Sequence, residues 1–583
     1  MKRSGSLPIS RIVRLALVCW LIVACNPTGQ TSTVTSIPLT PTSTEIPTEQ
    51  PVSTIAPEVI FHNGIIVTME ELQPQAQAIA ITAERILAVG ADNEILALKD
   101  SSTQVIDLQG KTVMPGFIDS HQHRIGNRMV DGYEEPEPII PLAIEQGWTS
   151  LDELFVNEQR LTELRSLDES GKLRVRVNAY LPLASPEGDS YGNWYQAYQP
   201  GFEYSPYLRL AGVKIYMDHG WGRGKLLWTQ TELDQMLLEA HRLNWQIAIH
   251  TVSEPAHTMA LNSLEKALGG AADARYRHRI EHVVVISDND IQRMKRLGVI
   301  GSIQLNGPGT WVDFPDFYQQ VTPDMFPHVA RWRDLTEAGV FIVGSSDWPW
   351  NTLEQGFGSP MLLLYQAVTR AGTNRRPPAD WMVGQSISME QALQSLTING
   401  AYATFEEDKK GSIKPGKLAD IVILSDNPLT APIETVPDIQ ILLTMIGGKI
   451  EYCAVGQESL CLGKQTATLV SPATEMTLAT PFAGIWEGAD PSDGSIITLS
   501  VAQTENGLTG TFRDTYSPNI NPPGYEGNGS GTALSTTTAQ MTFNLTRWDG
   551  KSAQAQYSLT LSNQNNTLTL GCDVGCPIVL QRQ

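Results

Sequence analysis

Between about residues 113 and 345 the chain repeats one pattern, a short apolar run followed by a longer amphipathic stretch. The apolar runs cover residues 173–181, 213–217, 246–250, 279–285, 299–304 and 340–345, after a first that starts at Val113. Parallel strands cannot be joined by tight turns. They need a crossover, usually a helix, so the alternation predicts an α/β fold of βα units around a parallel sheet. Eight such units closed into a barrel would carry functional side chains at the C-terminal strand ends. About seven strands can be counted. The second and third are hard to separate, and residues 151–170 read as helix.

The strand ends carry residues suited to a metal. The first run, VMPGFIDSHQH (113–123), ends on His121 and His123. Side chains alternate along a strand, so both imidazoles face one way. Lys214 lies in GVKIY (212–216), His250 closes WQIAIH (245–250), His282 closes RIEH (279–282), and Asp347 follows FIVGSS (341–346). Histidine is the commonest side-chain ligand for divalent ions. Taken singly, each residue has a second reading. His250 serves as a core histidine, and one of His278 and His282 on the same strand is structural. Lys214 serves as a cation beside a carboxylate, and Asp347 as a helix N-cap.

Taken together, PGFIDSHQH, GVKIYMD, the strand-end His250, RIEH and GSSDWP resemble the amidohydrolase superfamily, in its amidohydrolase family 3 branch, over residues 58 to about 452. GSIKPGKLADIVIL and MIGGKIEY resemble that family's return to a flanking β-sandwich. The resemblance implies a (β/α)8 TIM barrel holding one or two divalent ions, most often zinc. His121 and His123 would bind the first ion. His250 and His282 would bind a second or complete a mononuclear site. Lys214 would bridge them if CO2 carbamylates its amine. Asp347 would contact the first ion and move protons.

Such an ion lowers the pKa of water toward roughly 7 and polarises a carbonyl. Asp347 can then take the proton of the attacking water and pass it to a leaving nitrogen. The expected reaction is hydrolysis of a C–N bond outside peptides, in an amide, N-acyl or cyclic amide small molecule. Hydrolysis of esters or other bonds is the neighbouring reading, and a non-catalytic solute-binding lipoprotein the rival. For substrate contacts the sequence offers Arg124, His219, Trp221, Gln304 and Trp348 with Trp350. Packing at the barrel rim is the other reading of the two tryptophans. Only about ninety residues separate His123 from Lys214. The long insertion that many family members carry there is missing, which predicts a more open pocket.

The flanks divide the chain further. A basic start (Lys2, Arg3, Arg11, Arg14) and an apolar run of residues 15–24 form a signal peptide over residues 1–25. Ile22-Val23-Ala24-Cys25 resembles the lipobox of bacterial lipoproteins, which implies export and a lipid on Cys25 that anchors the chain to a membrane, outside the cytoplasm. Residues 26–57 are rich in Thr, Ser and Pro and read as a tether. The sandwich is expected from residues 58–115 and 401–452, around a barrel of residues 116–400. A hairpin is expected at Asn63-Gly64 and a turn at Gly447-Gly448. Residues 453–480 read as a second linker and 481–583 as a small antiparallel β-module, whose GIWEG start (484–488) resembles lipocalin-like barrels. The cysteines pair locally, Cys453 with Cys461 and Cys572 with Cys576, as expected for disulfides in an oxidising space. With 41 basic and 62 acidic residues the net charge is -21, which argues against nucleic acid as a partner.

Overall fold

The computed structural model describes residues 56–583 except 124, 126–135, 138, 223, 313–316, 349–358, 373–374, 462–481, 483, 490–495, 505–506, 516–524, 534–537, 548–551, 563–566, 572–577 and 583. Cys25, Arg124, Trp350, Cys572 and Cys576 lie outside the described residues, as do residues 26–55 and 462–480 of the two linkers. The more open pocket expected from the short stretch after His123 involves residues that lie in part outside the described ones.

Eight parallel strands stand in sequence order: Phe117–Gln122, Trp148–Glu153, Arg176–Pro182, Leu208–Tyr216, Gln246–Thr251, Arg279–His282, Ile300–Gln304 and Ile342–Ser345. The first and last meet at the C-terminal end. There Asp347 N donates to His121 O and His123 N donates to Trp348 O, both at 2.9 Å. The fold is thus the expected α/β barrel.

The strand that the sequence reading merged into a helix is Trp148–Glu153. The helix begins only at Glu158, after an Asn157 cap whose side chain accepts from Arg160 N. Thr149, Ser150, Asp152 and Glu153 break the apolar pattern of this strand, yet all are buried. Asp152 faces the barrel interior, where Arg279 Nη1 meets it at 2.8 Å. A polar barrel interior hides a strand from hydropathy.

Both flanks of the barrel build two sheets. One orders Arg85–Gly90, Ala78–Thr82, Val59–His62 and Gln104–Asp107. The other orders Lys449–Cys453, Ile441–Ile446, Ile421–Leu424, Thr112–Pro115, Ile65–Val67 and Gln75–Ala76. The antiparallel pairing of Thr112–Pro115 with Ile421–Leu424 joins the N- and C-terminal flanks.

The expected hairpin at Asn63-Gly64 does not form. Val59–His62 and Ile65–Val67 pair with different partners, in different sheets. The Asn-Gly pair instead passes the chain from one sheet to the other, with Asn63 at φ 55°. A Cβ on Gly64 would lie 2.3 Å from Leu108 Cδ1, so the packing of that corner decides the turn. Gly447-Gly448 does join a hairpin, Ile441–Ile446 with Lys449–Cys453, and both glycines have positive φ. A disulfide links Cys453 to Cys461.

The C-terminal module is a closed antiparallel barrel of eight strands, from Gly484–Ala489 to Ile578–Arg582. Trp486, Leu499, Phe512, Phe543 and Leu559 are among the side chains in its own core. Among the described residues no helix is long and apolar enough to cross a membrane.

Candidate metal centre

The first barrel strand is buried along its whole length, and Gly116 lets it enter. A Cβ there would lie 2.2 Å from Thr149 Cγ2. The strand carries His121 to its end, and His123 follows on the same side. Their Nε2 atoms are 3.1 Å apart. Asp347 Oδ1 lies 3.4 Å from His121 Nε2 and 3.5 Å from His123 Nε2. Zinc–nitrogen bonds of about 2.0–2.1 Å in a tetrahedron put neighbouring ligand atoms about 3.3 Å apart. These three buried atoms therefore have the spacing of the face of a metal tetrahedron, and the donor set fits a divalent ion.

The backbone holds this arrangement at a cost. Asp347 (φ 51°), His282 (φ 75°) and Val283 (φ 46°) all occupy the left-handed region, which is unfavourable for residues with a Cβ and common at functional sites. Asp347 is held there from both sides. Its own N–H donates to His121 O, and Ser346 donates to Asp119 through N at 3.0 Å and Oγ at 2.5 Å.

Two of the imidazoles, His121 and His282, are oriented from behind. His121 Nδ1 lies 2.7 Å from Glu281 Oε2, so Nδ1–H donates and Nε2 keeps its lone pair for the centre. His282 Nδ1 lies 3.0 Å from Gln304 Oε1, which leaves His282 Nε2, without a hydrogen-bond partner, as the acceptor. Arg279 fixes Glu281 in turn, with Nε 2.8 Å from Oε1, and also meets the Tyr180 hydroxyl at 3.0 Å.

Burial sets the electrostatics. It pushes His121, His123 and His250 well below the usual histidine range, with Lys214 and His282 as the largest charged contributors. His282 falls to about 3. All four are neutral, as ligation requires. Burial also pushes the Lys214 amine down to about 8 and the Asp347 carboxyl upward. A bound cation would reverse the latter by favouring the carboxylate.

The structure brings together His121, His123, Lys214, His282 and Asp347. Lys214 Nζ is 3.4 Å from His121 Nε2, and the His282 ring is 4.8 Å from that of His121. His250 borders the group through His282, at 4.2 Å between rings, and its Nε2 lies 3.7 Å from Asp218 Oδ1. His278 stands apart as a structural residue: its Nδ1 accepts from Ile247 N, and its Nε2 lies 3.0 Å from His241 Nδ1.

Of the other sequence candidates, Gln304 is turned toward His282. Trp348 is buried at the seam between the first and last strands. His219 is exposed on a short hairpin with Lys225. Trp221 packs against Trp311 and Phe317.

Sequence reasoning missed Glu281, Arg279, Asp119, Asp152 and Asp218. The signal for Glu281 was available: RIEH places two opposite charges two residues apart on one face of a strand.

The sequence profile described as the amidohydrolase family matches residues 146–452, leaving the strand with His121 and His123 outside the matched span. Protein LONG AFTER FAR-RED 3 of Arabidopsis thaliana is 26% identical over 310 residues, 49% of this chain and 49% of its own. N-substituted formamide deformylase of Arthrobacter pascens is 26% identical over 268 residues, 43% of this chain and 47% of its own. The chain thus spans about half the length of these curated relatives. A metal-dependent hydrolase structure from Pyrococcus horikoshii superposes with a TM-score of 0.54 at 20% identity, covering 64% of this chain and 99% of its own. At that identity the likeness speaks to the fold.

Proposed function

The chain belongs to the amidohydrolase family, and from that premise we propose that it hydrolyses a non-peptide C–N bond in a small amide, N-acyl or cyclic amide substrate. The observation that carries the reading is the convergence of His121 Nε2, His123 Nε2 and Asp347 Oδ1, all buried, at the spacing a divalent ion requires. N-substituted formamide deformylase, similar over part of the chain, supports an amide-type substrate.

In this reading His121, His123 and Asp347 would hold one ion, while His282 and His250 would hold a second or complete a mononuclear site. The ion supplies Lewis acidity, lowering the pKa of water and polarising the carbonyl. Asp347 accepts the proton of the attacking water and returns it to the leaving nitrogen, so the products are a carboxylic acid and an amine. Glu281 and Gln304 keep the His121 and His282 imidazoles in the tautomers that this requires.

Lys214 is proposed to be carbamylated. A protonated amine has no lone pair, but burial brings this one down to about 8. The neutral amine can attack CO2, form a C–N bond and release a proton, leaving a carbamate that offers two oxygens. The enzyme is further proposed to work outside the cytoplasm, tethered by a lipid on Cys25.

The test is elemental mass spectrometry of the purified protein alongside turnover of a panel of small amides, for wild type and Asp347→Asn. Bound zinc or another divalent metal, with turnover abolished in the variant and metal largely retained, supports the reading. Full activity in Asp347→Asn would remove the assigned role. A wild type with less than one equivalent of metal and no turnover would sink the hydrolase reading itself.

A further inference from the structure

Four arginines are buried among the described residues: Arg160, Arg176, Arg279 and Arg370. Three of them face a carboxylate. Arg160 Nη1 lies 2.7 Å from Glu163 Oε2, Arg176 Nε 2.7 Å from Asp420 Oδ2, and Arg279 Nε 2.8 Å from Glu281 Oε1. Among the described residues no carboxylate pairs with Arg370. Its side chain donates from Nη2 to the backbone oxygen of Ala330, at 2.9 Å, while Nε and Nη1 are buried without a partner. Burial alone lowers it to about 9, so the guanidinium is still charged at neutral pH.

The surroundings hold this group in place without neutralising it. Arg370 closes the helix Pro360–Thr369 in the left-handed conformation, φ 61°, where glycine is usual. Its guanidinium carbon lies 3.8 Å from the centre of the Trp332 ring. The indole Nε1 of that ring is a further buried donor without a partner. Gln366 Oε1, one turn earlier in the helix, is an unpartnered acceptor, but a neutral one. An isolated buried charge costs far more than an unpaired buried dipole. Removing that cost takes a counter-charge, and a residue 1% exposed admits only a small one.

We propose that Arg370 is the core of a binding site for one small monovalent inorganic anion, with chloride as the type. The anion accepts from the free guanidinium N–H groups and supplies the missing negative charge. The site backs onto the metal centre. Ala330, which accepts from Arg370, donates through N to Val284 O at 2.7 Å, two residues beyond His282. Ala330, Val283 and His282 all have positive φ. An anion that fixes Arg370 thereby steadies the strained segment that carries His282.

Full-length protein would be melted in sodium chloride and in sodium gluconate at equal ionic strength, and crystals grown in sodium bromide would be measured for anomalous scattering. Gluconate is too large to enter so buried a site. Chloride is expected to raise the melting temperature by a few degrees, saturating in the millimolar range, as a ligand of the folded state does. Bromide should give an anomalous peak in contact with Arg370 Nε or Nη1. Arg370→Met keeps an apolar stem against Trp332 and removes the charge, and it should lose both the chloride response and the peak. If that variant does not fold, the wild-type titration and the bromide map decide by themselves. A wild-type melting temperature equal in the two salts overturns the proposal, and a bromide peak alongside it would mark an adventitious ion only. A chloride response with no peak at Arg370, or one that persists in Arg370→Met, overturns it too, because the anion would then act elsewhere.

Discussion

Glu281 Oε2 lies 2.7 Å from His121 Nδ1, with both side chains fully buried. This contact fixes the tautomer of the first proposed ligand, and Arg279 fixes Glu281 through its other oxygen at 2.8 Å. Glu281→Gln would offer His121 an amide that can present either oxygen or nitrogen. Metal affinity is expected to drop about 10–100-fold, read by competition with a chelator. Undiminished affinity would mean that Glu281 does not orient the ligand.

Lys214 gives a prediction about CO2. Metal-free protein given zinc in bicarbonate buffer should bind more of it than in CO2-stripped buffer. Lys214→Met should bind the lower amount in both. Equal stoichiometry for the wild type in the two buffers would exclude a carbamate bridge.

Gly212 passes so close to its neighbours that a Cβ would lie 2.6 Å from Tyr180 Cε1 and 2.7 Å from the backbone oxygen of Gln246. The second of these cannot move without shifting a barrel strand. Gly212→Ala is expected to cost about 1–3 kcal/mol in urea unfolding through overpacking. A midpoint equal to that of the wild type would show that the barrel yields more readily than its contacts imply.

His278 is buried and neutral, pushed down to about 3 from its ordinary 6.5 by burial. As pH falls below 6.5 the unfolded chain takes up the proton first. The contribution of His278 is therefore fully present above that pH and is lost progressively toward 3, at up to about 1.4 kcal/mol per pH unit. His257, down to about 4, acts with the same sign. Asp119, raised to about 7, and Asp152, raised to about 6, act with the opposite sign, so the difference between variants isolates the effect. His278→Asn can keep an acceptor for Ile247 N and should show a shallower loss of stability between pH 6.5 and 4.5 than the wild type. Parallel curves would remove His278 from the acid response.

Cys25 makes the location testable. Fractionation of cells expressing Cys25→Ser should move the protein from the membrane to the soluble fraction. A wild type already found only in the soluble fraction would rule out the lipid anchor.

Much of the site was legible because strand periodicity is local. His121 and His123 share a face through simple alternation, and Lys214, His250, His282 and Asp347 each lie within or just after an apolar run. The second barrel strand was not legible. Its Thr149, Ser150, Asp152 and Glu153 look like surface residues until Arg279 is seen opposite Asp152 in the interior. The corner at Asn63-Gly64 failed for a related reason: an Asn-Gly pair specifies a turn, but which strands flank it in a sheet depends on distant partners such as Thr112–Pro115.

The sequence by itself determined the order of βα units and which ligand-type residues stand at their ends, because alternation and apolar runs depend only on neighbours along the chain. Tertiary structure alone decided which atoms converge. Closure of the barrel set Asp347 against His121 and His123 at the seam, and it brought Glu281 to His121 across 160 residues. Those encounters depend on how the strands close around a common axis, a property of all eight strands at once that no local pattern encodes.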